Sequence, residues 1–178
     1  MINLFGNHYD THIDTLILDC IEDEKELSNV KKFDNLKNLV LSNSDIEDEG
    51  LKYVSKCLTI ENLNLQCTPI TDKGVEFVSH LINLKYLRLK ECDHITNHCV
   101  QYLNRLTKLE DLQIQDTNLD QEGLKNLHLP NLKFICLEIW NDNFTPDFLK
   151  AFSRQNPACR IVAKGEGEFL NGRYESIG

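Results

Sequence analysis

One pattern constrains this chain more than any other. L-x-x-L-x-L, with Ile allowed for Leu, occurs at Ile13-Leu16-Leu18, Leu36-Leu39-Leu41, Ile60-Leu63-Leu65, Leu84-Leu87-Leu89, Leu109-Leu112-Ile114 and Leu132-Ile135-Leu137. The starts are separated by 23, 24, 24, 25 and 23 residues. A worn seventh unit keeps Cys159 and Ile161 in the second and third apolar places. Self-similarity at such a period marks a stack of supersecondary units, none of which can bury its own apolar face alone.

Each unit reads as strand, turn, helix and return loop. The alternation L-x-L is strand-like. About ten residues further on come "IEDEGLKYV", "ITDKGVEFV", "ITNHCVQYL", "LDQEGLKNL" and "FTPDFLKAF". Thr71, Thr96, Asp120 and Thr145 are good helix N-caps, Glu47 holds the equivalent place, and Pro146 suits a first helical position. Apolar residues then recur at helical spacing, as in Val75, Val78 and Leu81. Stacking such units gives parallel strands about 4.8 Å apart with helices outside. Gly50, Gly74, Cys99 and Gly123 precede the first apolar helix residue in four units. A small side chain there is expected to let helix and sheet approach closely.

With these residues in view, the chain resembles the leucine-rich repeat proteins over residues 13–163. It is most similar to their cysteine-containing, ribonuclease-inhibitor-like class, whose unit runs roughly L-x-x-L-x-L-x-x-C-x-x-I-T-D-x-G-L. "LKYLRLKECDHITNHCV" (84–100) and "IENLNLQCTPITDKGV" (60–75) carry the match. The resemblance implies an α/β solenoid: a curved parallel sheet on the concave side, helices on the convex side, about six repeats and terminal caps. Residues 1–12 are expected as an N-terminal cap, 13–163 as the repeat domain, and 164–178 as a C-terminal tail or cap. Phe169, Leu170 and Tyr174 could fold back over the last unit or dock on another molecule. The segment "CIEDEKELSNVKKF" makes the first unit atypical.

The stretch "CDHITNHC" (92–99) resembles a metal site until the register is applied. Cys92 is the ninth residue of its unit, equivalent to Ile21, Ser44, Thr68, Thr117 and Trp140. In the resembled family this place carries a ladder that satisfies turn backbone, a task open to Ser, Thr and Cys. Cys99 takes the glycine place. Only His94 and His98 are left without a structural role, and the spacing departs from paired zinc-ligand motifs. No metal and no cofactor are expected. No nucleophile elbow, phosphate loop or zincin motif occurs, and Cys20 and Cys67 have no histidine beside them in register. A non-catalytic protein is the expectation. The alternative of another class is a metal- or thiol-dependent enzyme or sensor built on Cys92, His94 and His98.

Charge narrows the partners. Lys plus Arg number 19 against 28 Asp plus Glu, a formal net charge of −9. Phosphate backbones and anionic membrane surfaces are repelled, so neither nucleic acid nor membrane is expected, while a basic protein would be attracted. Seven cysteines, an odd number without a secretory signal, read as reduced thiols and a cytoplasmic location.

The expected function is protein–protein interaction through the concave face, where places three, five, seven and eight of each unit form columns. The later units are richest there. Tyr86, Arg88, Lys90, Asp111, Gln113, Phe134, Glu138 and nearby Trp140 are the candidate partner-binding residues, because aromatics and arginine anchor interfaces. Trp140 either seals the last full unit or lies exposed. Two roles follow from the resemblance: an inhibitor or immunity-type protein for a basic partner, or a substrate-recognition adaptor of the F-box leucine-rich-repeat type. The second is weakened by the lack of an F-box-like helical segment ahead of the repeats. Oligomeric state is left open.

Overall fold

The computed structural model describes residues 1–19, 21 and 23–176. Seven strands run parallel in sequence order: β3 (Thr15–Ile17), β4 (Asn38–Val40), β5 (Asn62–Asn64), β6 (Tyr86–Arg88), β7 (Asp111–Gln113), β8 (Phe134–Glu138) and β9 (Arg160–Lys164). Their register equates one unit with the next: Leu39 pairs with Leu63, Leu63 with Leu87, and Leu87 with Leu112. The sequence period is therefore the strand-to-strand step. Strand entries repeat as well. Lys85 and Tyr86 N–H both donate to the Glu61 carbonyl, and Glu110 and Asp111 N–H both donate to that of Lys85.

The leucines of L-x-x-L-x-L turn inward. Leu39, Leu41, Leu63, Leu65, Leu87 and Leu89 are all buried in one continuous core. Burying each such side chain stabilises by roughly 1.5–3 kcal/mol.

Opposite the sheet lie α1 (Asp48–Val54), α2 (Asp72–Val78), α3 (Val100–Leu103, entered through a 3-10 turn at Asn97–Cys99), α4 (Gln121–Leu124) and α5 (Pro146–Gln155). The expected caps act as caps: Thr71 accepts from Lys73 N–H, Thr96 from His98, Asp120 from Glu122 and Gly123, and Thr145 from Phe148. Glu47 stands at its cap position without a capping bond.

A second contact clasps each helix start to the next unit. Asp48 Oδ1 accepts from Thr71 N–H at 2.9 Å and Oδ2 from its hydroxyl at 2.7 Å. Asp72 repeats this on Thr96 at 2.8 and 2.6 Å, and Asn97 and Asp120 continue it. This clasp explains Gly74, where a Cβ would stand 2.5 Å from Asp48 Oδ1. At Gly123 the preceding unit's Asn97 stands nearest in the same way, whereas at Gly50 the nearest atom is Ile46 Cγ1 of the same unit at 2.7 Å. At Cys99 burial pushes the thiol up, and the Asp72 charge adds to it.

The ends are built differently. β1 (Ile2–Leu4) and β2 (Asn7–Tyr9) form a separate antiparallel hairpin that does not pair with β3. It packs on the 3-10 helix Glu24–Lys32, with Phe5 N–H donating to Glu26 Oε2 at 2.6 Å. At the other end β10 (Gly167–Leu170) and β11 (Arg173–Ser176) add two antiparallel strands to β9, giving nine strands among the described residues. Phe169 is buried under the tilted Tyr174 ring, 5.1 Å away, so this segment folds back on the last unit.

Candidate functional site: the open face of the sheet

Places three, five and seven of β6 to β8 lie on the open face, so the register brings Tyr86, Asp111 and Phe134 into one column. Arg88, Gln113 and Cys136 form the next. Lys90, Gln115 and Glu138 form the third, on the same count. Seven of the eight sequence-predicted residues are therefore brought together.

Side-chain bonds fix this surface before any partner arrives. Arg88 Nε donates to Gln66 Oε1 at 2.8 Å, and Nη1 donates to Gln113 Oε1. Gln66 Nε2 donates in turn to Glu91 at 3.2 Å, and Lys90 pairs with Glu91 at 2.6 Å. Hydrogen bonds from Lys90 and then Gln66 hold the Glu91 carboxyl below its ordinary range. Among the described residues, Arg88 has no carboxylate within ion-pair distance.

Toward β8 the balance reverses. Burial pushes the Glu138 carboxyl up, and the neighbouring Asp116 carboxylate adds to the shift against Lys164 and Lys90. Burial also raises Asp111, against a hydrogen bond from Gln113 and the charge of Arg88. Gln115 was not singled out in the sequence. It is 3% exposed, donates to Cys136 Sγ at 2.9 Å, and its Oε1 has no partner. A glutamine buried by a hydrogen bond to the next strand has no signature in a repeat pattern.

At place eight the strands end: Asn43, Cys67, Glu91 and Asp116 adopt left-handed backbone (φ 54–62°) and turn the chain at the rim of the open face, where Glu91 still bonds Gln66 and Lys90. Trp140 is also on this rim, 42% exposed, so it does not seal the unit. In regular units the ninth side chain tucks under the turn. Ser44, Thr68 and Thr117 hydroxyls donate to the Leu41, Leu65 and Ile114 carbonyls at 2.6–2.9 Å. Cys92 donates to Leu65 across the unit boundary at 3.0 Å. An indole cannot fit there. Asn143 closes that turn instead, accepting from Trp140 and Phe144 N–H, both at 2.9 Å, and donating to the Glu138 carbonyl at 3.1 Å.

The "CDHITNHC" residues diverge. Cys92 and Cys99 are buried in the core, while His94 and His98 are exposed. Among the described residues no group of three His, Cys, Asp or Glu side chains could hold a metal ion. Cys57, Cys67, Cys92, Cys99, Cys136 and Cys159 are free, and Cys20 lies outside the described residues. Burial pushes the thiols of Cys57, Cys92, Cys99 and Cys136 up, and that of Cys159 to about 12. A nucleophile needs the opposite shift. No helix among the described residues is long and apolar enough to cross a membrane.

A parallel sheet advancing one strand per 23–25 residues, with a hydroxyl-or-thiol ladder behind it, defines a leucine-rich repeat solenoid. The comparisons agree. A family model described as Leucine Rich repeat matches residues 35–55 and 56–79, the second and third units. Among solved structures the chain is similar to an internalin (inlF) from Listeria monocytogenes, with TM-score 0.58 and 18% identity over 84% of this chain and 41% of that one. It is similar to internalin C2 of the same organism, with TM-score 0.58 and 23% identity over 84% and 70%. A leucine-rich repeat protein of Leptospira interrogans gives TM-score 0.53 and 20% identity over 75% and 33%. The chain thus spans less than half the length of the first and third. No curated protein matches it in sequence. These likenesses are likenesses of fold. Leucine-rich repeat solenoids commonly mediate protein–protein interaction, because stacking creates an extended binding surface.

Proposed function

We propose that this chain is a protein-recognition module whose partner docks on the open face over β6, β7 and β8. The observation that carries this reading is Arg88. Its guanidinium is oriented by two neutral amide carbonyls and has no carboxylate within ion-pair distance among the described residues, in the column next to that of Tyr86, Asp111 and Phe134. A charged fork held in place without neutralisation is preorganised for an outside acceptor, and preorganisation lowers the entropy cost of binding. The net charge of −9 and the carboxyl groups of Asp111, Asp116 and Glu138, which form no ion pair among the described residues, favour a partner that is basic overall. An inhibitor or immunity-type role suits such a partner and is consistent with the ribonuclease-inhibitor-like repeat sequence. The free thiols suit work in the reducing cytoplasm.

The test uses wild type and a variant carrying Tyr86→Ala, Arg88→Glu and Lys90→Glu, each immobilised and exposed to lysate of the source cells. Circular dichroism first establishes that both are folded. A basic protein retained by wild type and lost by the variant is the expected result. Equal retention of the same protein would remove the open face from the interaction.

A further inference from the structure

Trp140 is the chain's single tryptophan, and five of the other aromatic rings carry a cation. Lys56 lies over Tyr53, Lys73 over Phe77, Arg105 over Tyr102, Lys150 over Tyr174 and Arg160 over Phe134, all 5.1–5.9 Å from the ring centre. Tryptophan is the best aromatic acceptor of a cation. Yet no Lys or Arg among the described residues covers Trp140, which at 42% is more exposed than Tyr174.

The ring borders a groove of about 340 Å³ between units five and six. Its lining holds the carboxylates Asp120, Glu122 and Asp142, and no basic side chain. Asp120 is committed to capping α4, and Glu122 pairs with Lys125. Asp142 has neither an ion pair nor a side-chain hydrogen bond among the described residues. The Trp140 side chain makes none of the hydrogen bonds that close this turn, which Asn143 supplies. The indole is exposed on a groove that Asp142 also lines.

We propose that this groove takes a lysine or arginine side chain of a protein partner, seated over the Trp140 indole and against Asp142. The site is on the strand-exit rim. It is separate from the open face and goes beyond the function proposed above. The cation supplies what the groove lacks, and the ring and carboxylate recognise it together. A neutral side chain of equal length satisfies only the packing.

The test exploits the lone tryptophan. The whole protein is titrated with acetyl-Gly-Arg-Gly-Arg-Gly-amide and with the same peptide carrying citrulline for arginine, while indole emission is followed. Variants are compared through anisotropy of a dye-labelled arginine peptide. A saturable emission change with arginine and none with citrulline is expected. Trp140→Ala should weaken binding by about tenfold and Asp142→Asn by about threefold. Lys52→Ala, on helix α1, should leave peptide binding unchanged. An equal response to citrulline, no saturable response, or undiminished binding by folded Asp142→Asn overturns the proposal. So does sedimentation showing a dimer that Trp140→Ala dissociates, because a second copy would then cover the ring.

Discussion

Units two to five and unit six share one apolar frame but close their turns by different chemistry. In the regular units a three-residue strand ends in a left-handed eighth residue, and the ninth side chain donates beneath it. In unit six the strand β8 runs five residues, Ile139 is not left-handed, and two left-handed residues follow later, Asn141 and Asp142. Asn143 then supplies the turn's hydrogen bonds. The difference teaches that the ladder place has a task rather than a residue. Once another side chain performs it, the place is released, and here it holds an exposed indole.

The frame itself is best probed by matched cavities. Leu89 and Leu137 are both fully buried in the same place of the repeat, one in a regular unit and one in unit six. Leu89→Ala and Leu137→Ala should each cost about 2–5 kcal/mol in chemical denaturation. A much smaller loss at Leu137 would break the comparison, by showing that unit six departs in its core as well as in its turn.

The inter-unit clasp comes next. Gly74→Val should cost about 1–3 kcal/mol, because its Cβ displaces Asp48 from Thr71. Gly6→Val would separate crowding from backbone effects, since nothing lies within 4 Å of a Cβ there although φ is +74°.

The turn of unit six is tested by Asn143→Ala. Loss of its three bonds should cost about 1–2 kcal/mol, and Trp140 emission should shift as the loop loosens. An unchanged midpoint and spectrum would mean that the turn is held by something other than Asn143.

The smallest effect concerns Glu138. Its folded carboxyl sits above the ordinary range, so the folded state binds that proton more tightly than the unfolded chain. This contribution favours folding below the ordinary carboxylate range and is lost as pH rises through the raised value. Glu138→Gln should therefore raise the melting midpoint slightly at neutral pH, with no gain at pH 3. Glu61, Glu76, Glu91 and Glu168, held low by hydrogen bonds from cationic partners, work in the opposite sense. The stability they contribute is present at neutral pH and lost as pH falls through their lowered values.

How much of this was legible beforehand differs from residue to residue. Cys92 could be read as a ladder residue from its register alone, because Ser44, Thr68 and Thr117 occupy the same place. Seven of the eight candidate site residues were likewise fixed by alternation in the strands. Gln115 was not, since its burial and its hydrogen bond to Cys136 depend on the neighbouring strand's side chain. The clasp was also hidden. Asp48 and Asp72 read as ordinary first-turn acids, and only the fold brings each to a threonine 23–24 residues away.

The sequence by itself determined the strand period, the inward leucines, the caps and the order of the sheet, because each follows from spacing along the chain and from where apolar side chains must go. Tertiary structure decided the rest. It set which ladder residue turns out, which carboxylates go unpaired, and how the ends close, with a hairpin packed on a helix at one end and two strands added to the sheet at the other. Those outcomes depend on distances between side chains remote in sequence, and no local pattern encodes such distances.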